Sequence, residues 1–64
     1  MDKVIEVALK ELRSRRVQLS EAVSSGAAKS YDEYRYMCGE IRGLTNVEMY
    51  LLDLAKNMEH FDDE

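Results

Sequence analysis

Apolar residues recur every three or four positions along two stretches of the chain, and a short polar segment with a glycine separates the stretches. In the first stretch these positions are Ile5, Leu9, Leu12, Leu19 and Val23, flanked by Val4, Ala8 and Ala22. This spacing is that of one face of an α-helix, so it predicts an inward face on a helix over residues 3 to 24. Asp2 is a residue type that caps helix starts.

The second apolar stripe is longer and wider. Its positions are Tyr34, Met37, Ile41, Leu44, Val47, Leu51, Leu54, Met58 and Phe61. The stripe is widened by the apolar residues Tyr31, Cys38, Leu52 and Ala55. It predicts a helix over residues 31 to 59, followed by an acidic tail over 60 to 64. At the helical rise this helix is about 43 Å long, against about 33 Å for the first. The second helix should therefore carry more apolar surface than the first can cover.

The segment between the stripes contains signals for a helix end and a helix start. Gly26 can adopt the left-handed conformation that ends a helix, and Ser30 with Glu33 has the spacing of a capping box. In that box the glutamate reaches back to the amide of the cap residue. The prediction is an all-α fold of one domain over residues 1 to 64, a two-helix antiparallel hairpin with its turn at 25 to 30. Oligomerisation or docking on a partner would complete it.

Gly39 and Gly43 lie one turn apart in the middle of the predicted second helix. Each costs about 1 kcal/mol of helix stability relative to alanine, so the pair suggests that another backbone approaches closely. The same face continues through Tyr36, Val47 and Tyr50, and aromatic side chains of this kind are enriched at interfaces. The candidate partner-binding residues are Tyr36, Gly39, Gly43, Val47, Tyr50, Leu54 and Phe61. The alternative is that the glycines admit the first helix of the same chain.

The chain has 64 residues, no proline, three glycines and one cysteine. A domain of this size is marginally stable unless something reinforces it. Because Cys38 is alone, no disulfide can form within the chain, and a lone cysteine fits a reducing compartment. No apolar leader and no apolar run of about 20 residues is present. We expect a protein without a membrane span that is intracellular or packaged inside a particle, and not secreted.

Charge is distributed unevenly between the two halves. Residues 1 to 29 carry six basic and four acidic side chains, whereas residues 30 to 64 carry three basic and nine acidic ones. The basic cluster is Lys10, Arg13, Arg15 and Arg16. Such a cluster can neutralise nucleic-acid phosphates, but on an acidic protein it more often pairs with carboxylates or stays solvated. Nucleic acid is therefore not the expected partner, and the acidic end is either a solubilising tail or a contact for a basic groove.

No combination of residues points to catalysis. Cys38 and His60 are separated by roughly 33 Å along one helix, which excludes a nucleophile–base pair within the chain. The acidic residues near His60 lack the fixed spacing of a metal site. No glycine-rich phosphate loop is present, because the paired glycines lie inside a helix. We therefore expect a protein that is not an enzyme and that uses no cofactor or metal.

Two segments, Tyr31-Asp32-Glu33-Tyr34 and Gly39-Glu40-Ile41-Arg42-Gly43-Leu44, resemble a pattern in small helical proteins of tailed bacteriophages, which often end in an acidic tail. The resemblance covers about half of the chain and implies a phage origin, a location in the virion or the host cytoplasm, and a minor virion role, without catalytic residues. The favoured function is a structural assembly element, either a homo-oligomer or a subunit docked on a larger phage or host protein. The alternative is a small acidic inhibitor that docks on a host enzyme or nucleic-acid-binding protein. A nucleic-acid-binding regulator is the third hypothesis.

Overall fold

The chain forms two helices that pack against each other as an antiparallel hairpin. A computed structural model describes the backbone of residues 1 to 62 and the side chains of residues 1 to 58. Helix α1 spans Lys3–Ser24 and helix α2 spans Tyr31–Asp62, and the described residues contain no strand. The predicted all-α hairpin is confirmed. The end predicted for the second helix at residue 59 is wrong, since the helix continues to Asp62 and takes up part of the predicted acidic tail.

Both helices begin at side-chain caps. A carboxylate oxygen of Asp2 accepts hydrogen bonds from the amides of Val4, at 2.8 Å, and Ile5, at 3.3 Å. The hydroxyl of Ser30 accepts from the amide of Glu33 at 3.0 Å. The Glu33 carboxylate does not reach the cap amide as predicted, because it accepts from the amide one residue earlier, that of Lys29, at 3.1 Å. These bonds satisfy amides that a helix start leaves without partners.

Helix α1 ends in a Schellman motif. The amide of Ala27 donates to the carbonyl of Ala22 at 3.0 Å, and the amide of Gly26 donates to the carbonyl of Val23 at 3.2 Å. Gly26 has a φ of 78°, a left-handed conformation that side chains with a Cβ adopt at a cost. The short connection to α2 therefore depends on glycine at this position.

The core lies in the part of the hairpin furthest from the turn. Its buried members come from the first half of α1 and the second half of α2: Ile5, Leu9, Leu12 and Ala55. Leu44 and Leu51 pack against them, and Leu19 is buried nearer the turn. Toward the turn, the inward side chains of Val23, Met37 and Ile41 are only half-buried. The hairpin is therefore packed most tightly between the first half of α1 and the second half of α2.

Several predicted inward positions face solvent instead. Val4 is 76% exposed, and Val47, Leu54 and Met58 are also exposed. One neighbouring helix contacts a single stripe, and on α2 that stripe runs through Leu44, Glu48, Leu51 and Ala55 at alternating steps of four, three and four. The two consecutive steps of three from Ile41 carry Val47 away from α1, and the step of three after Leu51 does the same to Leu54. No helix among the described residues has the length and apolar character needed to cross a membrane.

Candidate protein-binding surface

A second face of α2 carries most of the predicted partner-binding residues, and we call it the notch face: Tyr36, Gly39, Gly43, Val47, Tyr50 and Leu54. At about 100° per residue, its centre lies about 105° around the helix from the stripe that contacts α1. Tyr36 is 71% exposed and Tyr50 is 67% exposed, and the other four are exposed as well. The side chain of Phe61, the seventh predicted residue, lies outside the described part of the chain.

The two glycines of the notch face open into free space. A Cβ atom built at Gly39 or at Gly43 would have no neighbouring atom within 4 Å. The alternative that the glycines admit α1 is therefore wrong, because α1 packs against a different side of α2. Nothing within the described hairpin requires glycine at either position. The cost of about 1 kcal/mol that each glycine imposes on the helix is not offset by any contact among the residues that the structure describes.

One edge of the notch face carries opposite charges at its two ends. Arg35 and Asp53 are eighteen residues apart, which is five full helical turns, so they project from α2 in the same direction. Both side chains are exposed, as is that of Arg42 between them. None of the three forms an ion pair with another residue that the structure describes. These charges are thus available to a partner that covers the notch face.

Three arginines of the predicted basic cluster bind carboxylates of α2. Arg13 and Arg16 both donate to Glu48, the latter at 2.7 Å, and Arg15 donates to Glu40 at 3.3 Å. The hydrogen bonds from Arg16 and Arg13 lower the pKa of Glu48 to about 2. The bond to Glu48 also raises the pKa of Arg16. The cluster therefore holds the two helices together, which is the use that an acidic protein makes most often of clustered cations.

Glu48 was not singled out from the sequence, although a signal was present. It occupies the inward stripe between Leu44 and Leu51, where an apolar residue would continue the pattern. Its side chain is only 15% exposed and accepts from two arginines. A charged residue inside an apolar stripe indicates a partner on the neighbouring helix, because an unpaired buried charge is costly.

A shallow cleft at the start of α2 contains Tyr31, Tyr34 and Cys38, beside Arg35 and Arg42. The tyrosine rings are stacked with their centroids 6.4 Å apart. The neighbouring, half-buried thiol of Cys38 raises the pKa of Tyr34. The cleft holds neither a histidine nor a carboxylate that would act as a base toward the thiol.

The described residues contain no group of three or more histidine, cysteine or acidic side chains able to hold a metal ion. The side chain of His60 lies outside the described part, so its predicted separation from Cys38 stays a prediction. Comparisons of the chain with protein-family models, with curated proteins and with solved structures give no match.

Proposed function

We propose that this chain is a non-enzymatic protein–protein interaction element that assembles with a protein partner through the notch face of α2. The partner is either another copy of the chain or a larger protein. The observation that carries the proposal is the pair of open glycines, Gly39 and Gly43, between exposed apolar residues on one side of a long helix. Apolar surface of this kind on a small protein marks an interaction site.

The chemistry of the notch face suits contact with a helix or strand of a partner. Without Cβ atoms, Gly39 and Gly43 let a partner backbone approach α2 closely. Tyr36 and Tyr50 offer large apolar rings with a hydroxyl that stays hydrogen-bonded at the edge of an interface. The ring of Tyr50 and the side chains of Val47 and Leu54 would fill space on the partner side. The helix cost of the two glycines would then be offset in the complex.

Blocking the notch face tests this function. Gly43→Leu fills the notch without a clash inside the hairpin, because no atom lies near the added Cβ. Ser14→Leu places the same side chain on the exposed outer side of α1 and serves as the matched control. The tagged chain would be expressed at low level in its host, and the cell extract would be fractionated by size. We expect a complex that Gly43→Leu dissociates and Ser14→Leu preserves.

Two outcomes would contradict the proposal. One is elution of the wild-type chain as a free 7.4 kDa species under all conditions. The other is a complex that is equally stable with leucine at position 43, since its interface would then lie elsewhere. Far-ultraviolet circular dichroism of each purified variant shows whether the helices are retained, so that unfolding is not mistaken for loss of binding.

The resemblance of residues 31 to 34 and 39 to 44 to proteins of tailed phages extends the proposal to a minor, virion-associated structural role. This extension is supported by the sequence pattern alone. It predicts that peptides of this chain are found in purified particles at a fixed number of copies. Their absence from mature particles would leave the notch face as an interaction site but would exclude the virion role.

A further inference from the structure

We infer that the notch face binds the notch face of a second copy, with the two α2 helices antiparallel about a two-fold axis level with residue 45. The inference rests on the proposed function and names the partner. It depends on how apolar, small and charged residues are arranged before and after residue 45 along α2. In a two-fold pair, each residue faces the one equally far from the axis on the other copy.

The notch face is self-complementary about residue 45. Gly43 and Val47 lie two residues to either side of it, and Tyr36 and Leu54 lie nine residues to either side. Gly39 lies six residues before it and Tyr50 lies five after it. In the antiparallel pair, Val47 and Tyr50 of one copy therefore meet the glycines of the other. Each copy supplies both the bulky side chains and the space that receives them.

The charges on one edge match only in this orientation. When two helices pack antiparallel, residues displaced to the same side of the contact face come together. Arg35 lies ten residues before the axis and Asp53 lies eight after it, so the two differ in level by about 3 Å at the helical rise. The pair would form twice in the dimer, and Arg42 would lie beside the ring of Tyr50 on the other copy, a favourable cation–π geometry. In a parallel dimer with the helices in register, the two copies of this edge would lie on opposite sides of the contact, so Arg35 would not meet Asp53.

The rest of the hairpin leaves room for contact between the two notch faces. The surface area buried in that contact sets the expected affinity of the dimer. Because α1 lies about 105° around α2 from the notch face, the two α1 helices stay apart. From Tyr36 to Leu54 the face is about 27 Å long at 1.5 Å per residue. A single helix pair of this length buries less than the roughly 1,200 Å² typical of stable specific interfaces. The dimer should therefore be weak, with a micromolar dissociation constant.

Reversing the charge of Arg35 or of Asp53 tests whether these two residues pair between the copies. Purified full-length chain would be examined by sedimentation equilibrium under reducing conditions, because Cys38 could otherwise form a disulfide. Arg35→Asp and Asp53→Arg each place like charges at both symmetric contacts and should raise the dissociation constant at least tenfold. An equimolar mixture of the two variants restores both contacts as a heterodimer, as does the double variant within one homodimer. Glu21→Arg, on the exposed outer side of α1, makes the same charge change as Asp53→Arg and should leave the dimer unchanged.

The result that supports the inference is weakening by each single variant together with recovery in the mixture and in the double variant. A purified wild-type chain that stays monomeric at several hundred micromolar would overturn it. So would weakening without recovery, because the register would then be wrong. Circular dichroism of the same samples excludes unfolding as the cause of any loss.

This test is separable from that of the proposed function. If purified chains do not pair but Gly43→Leu still dissociates the complex in cell extract, the notch face binds a different protein. In that case the second copy is excluded and the interaction element remains. If purified chains do not pair and Gly43→Leu also leaves the complex in cell extract intact, both proposals fail together.

Discussion

Replacing the two notch-face glycines with alanine should stabilise the isolated hairpin. Neither Gly39 nor Gly43 has a positive φ, and an added Cβ at either would meet no atom within 4 Å. Glycine inside a helix costs about 1 kcal/mol relative to alanine, so the double variant should gain about 2 kcal/mol. The two methyl groups would be one turn apart without a shared partner, so the effects should add.

This gain is large for a protein of this size. A change of 1 kcal/mol shifts the melting temperature of a small domain by roughly 4 to 8 °C. Thermal and urea unfolding would be followed by circular dichroism at 222 nm, at protein concentrations low enough that self-association does not contribute. The urea m-value should stay constant, which would show that the folded and unfolded states expose the same surface as before.

Gly26→Ala is the control for this experiment. Gly26 has a φ of 78°, so alanine at this position would be strained although the space around it is open. The expected effect is a loss of about 1 kcal/mol, opposite in sign to the gain at the notch face. If Gly39→Ala and Gly43→Ala left stability unchanged or lowered it, the hairpin itself would need the glycines. The argument that their cost is offset by a partner would then be refuted.

Three further predictions concern the hairpin itself. The pKa of Glu48 falls from its ordinary value of 4.5 to about 2 on folding, so its contribution to stability is complete above pH 5 and is lost as the pH falls from 4.5 through 2. Glu48→Gln should remove this part of the pH dependence of the melting temperature. If the melting temperature of Glu48→Gln changed with pH as steeply as that of the wild type, the arginines would not hold the carboxylate. Leu9→Ala truncates the most deeply buried of the described side chains, which is 3% exposed. It should lower the free energy of unfolding by about 2 to 5 kcal/mol, enough to abolish most of the helical signal at 25 °C. A cooperative unfolding transition close to that of the wild type would contradict the assigned core. Asp2→Ala removes the cap of α1 and should cost about 1 kcal/mol, whereas Asp2→Asn, which also caps, should cost much less in urea unfolding.

Local signals in the sequence were sufficient for the architecture. The spacing of Ile5, Leu9, Leu12 and Leu19 placed the inward face of α1, and these four are the residues of that helix that the fold buries. Gly26 and Ser30 marked a helix end and a helix start because their chemistry acts on neighbouring backbone groups. Such features depend on a few adjacent residues and need no knowledge of the partner helix.

The choice of face on α2 could not be made in the same way. Apolar residues surround much of this helix, so the pattern alone does not determine which stripe meets α1. The fold selects the stripe that contains Glu48, because Arg13 and Arg16 on α1 compensate its charge there. This selection depends on pairing between residues more than thirty positions apart. The notch face became identifiable as unoccupied only once that choice was known.

The position of the core has a consequence for how the hairpin forms. Ile5 and Ala55, both in the core cluster, are fifty residues apart in sequence, so nearly the whole chain must be closed into a loop before they meet. Contacts near the turn form first at little entropic cost, but apart from Leu19 their side chains are only half-buried, so these contacts stabilise little. Most of the stability therefore appears only when the first turns of α1 meet the second half of α2, which favours all-or-none folding. Lengthening the turn should cost little, whereas removing the first three turns of α1 should unfold the whole chain.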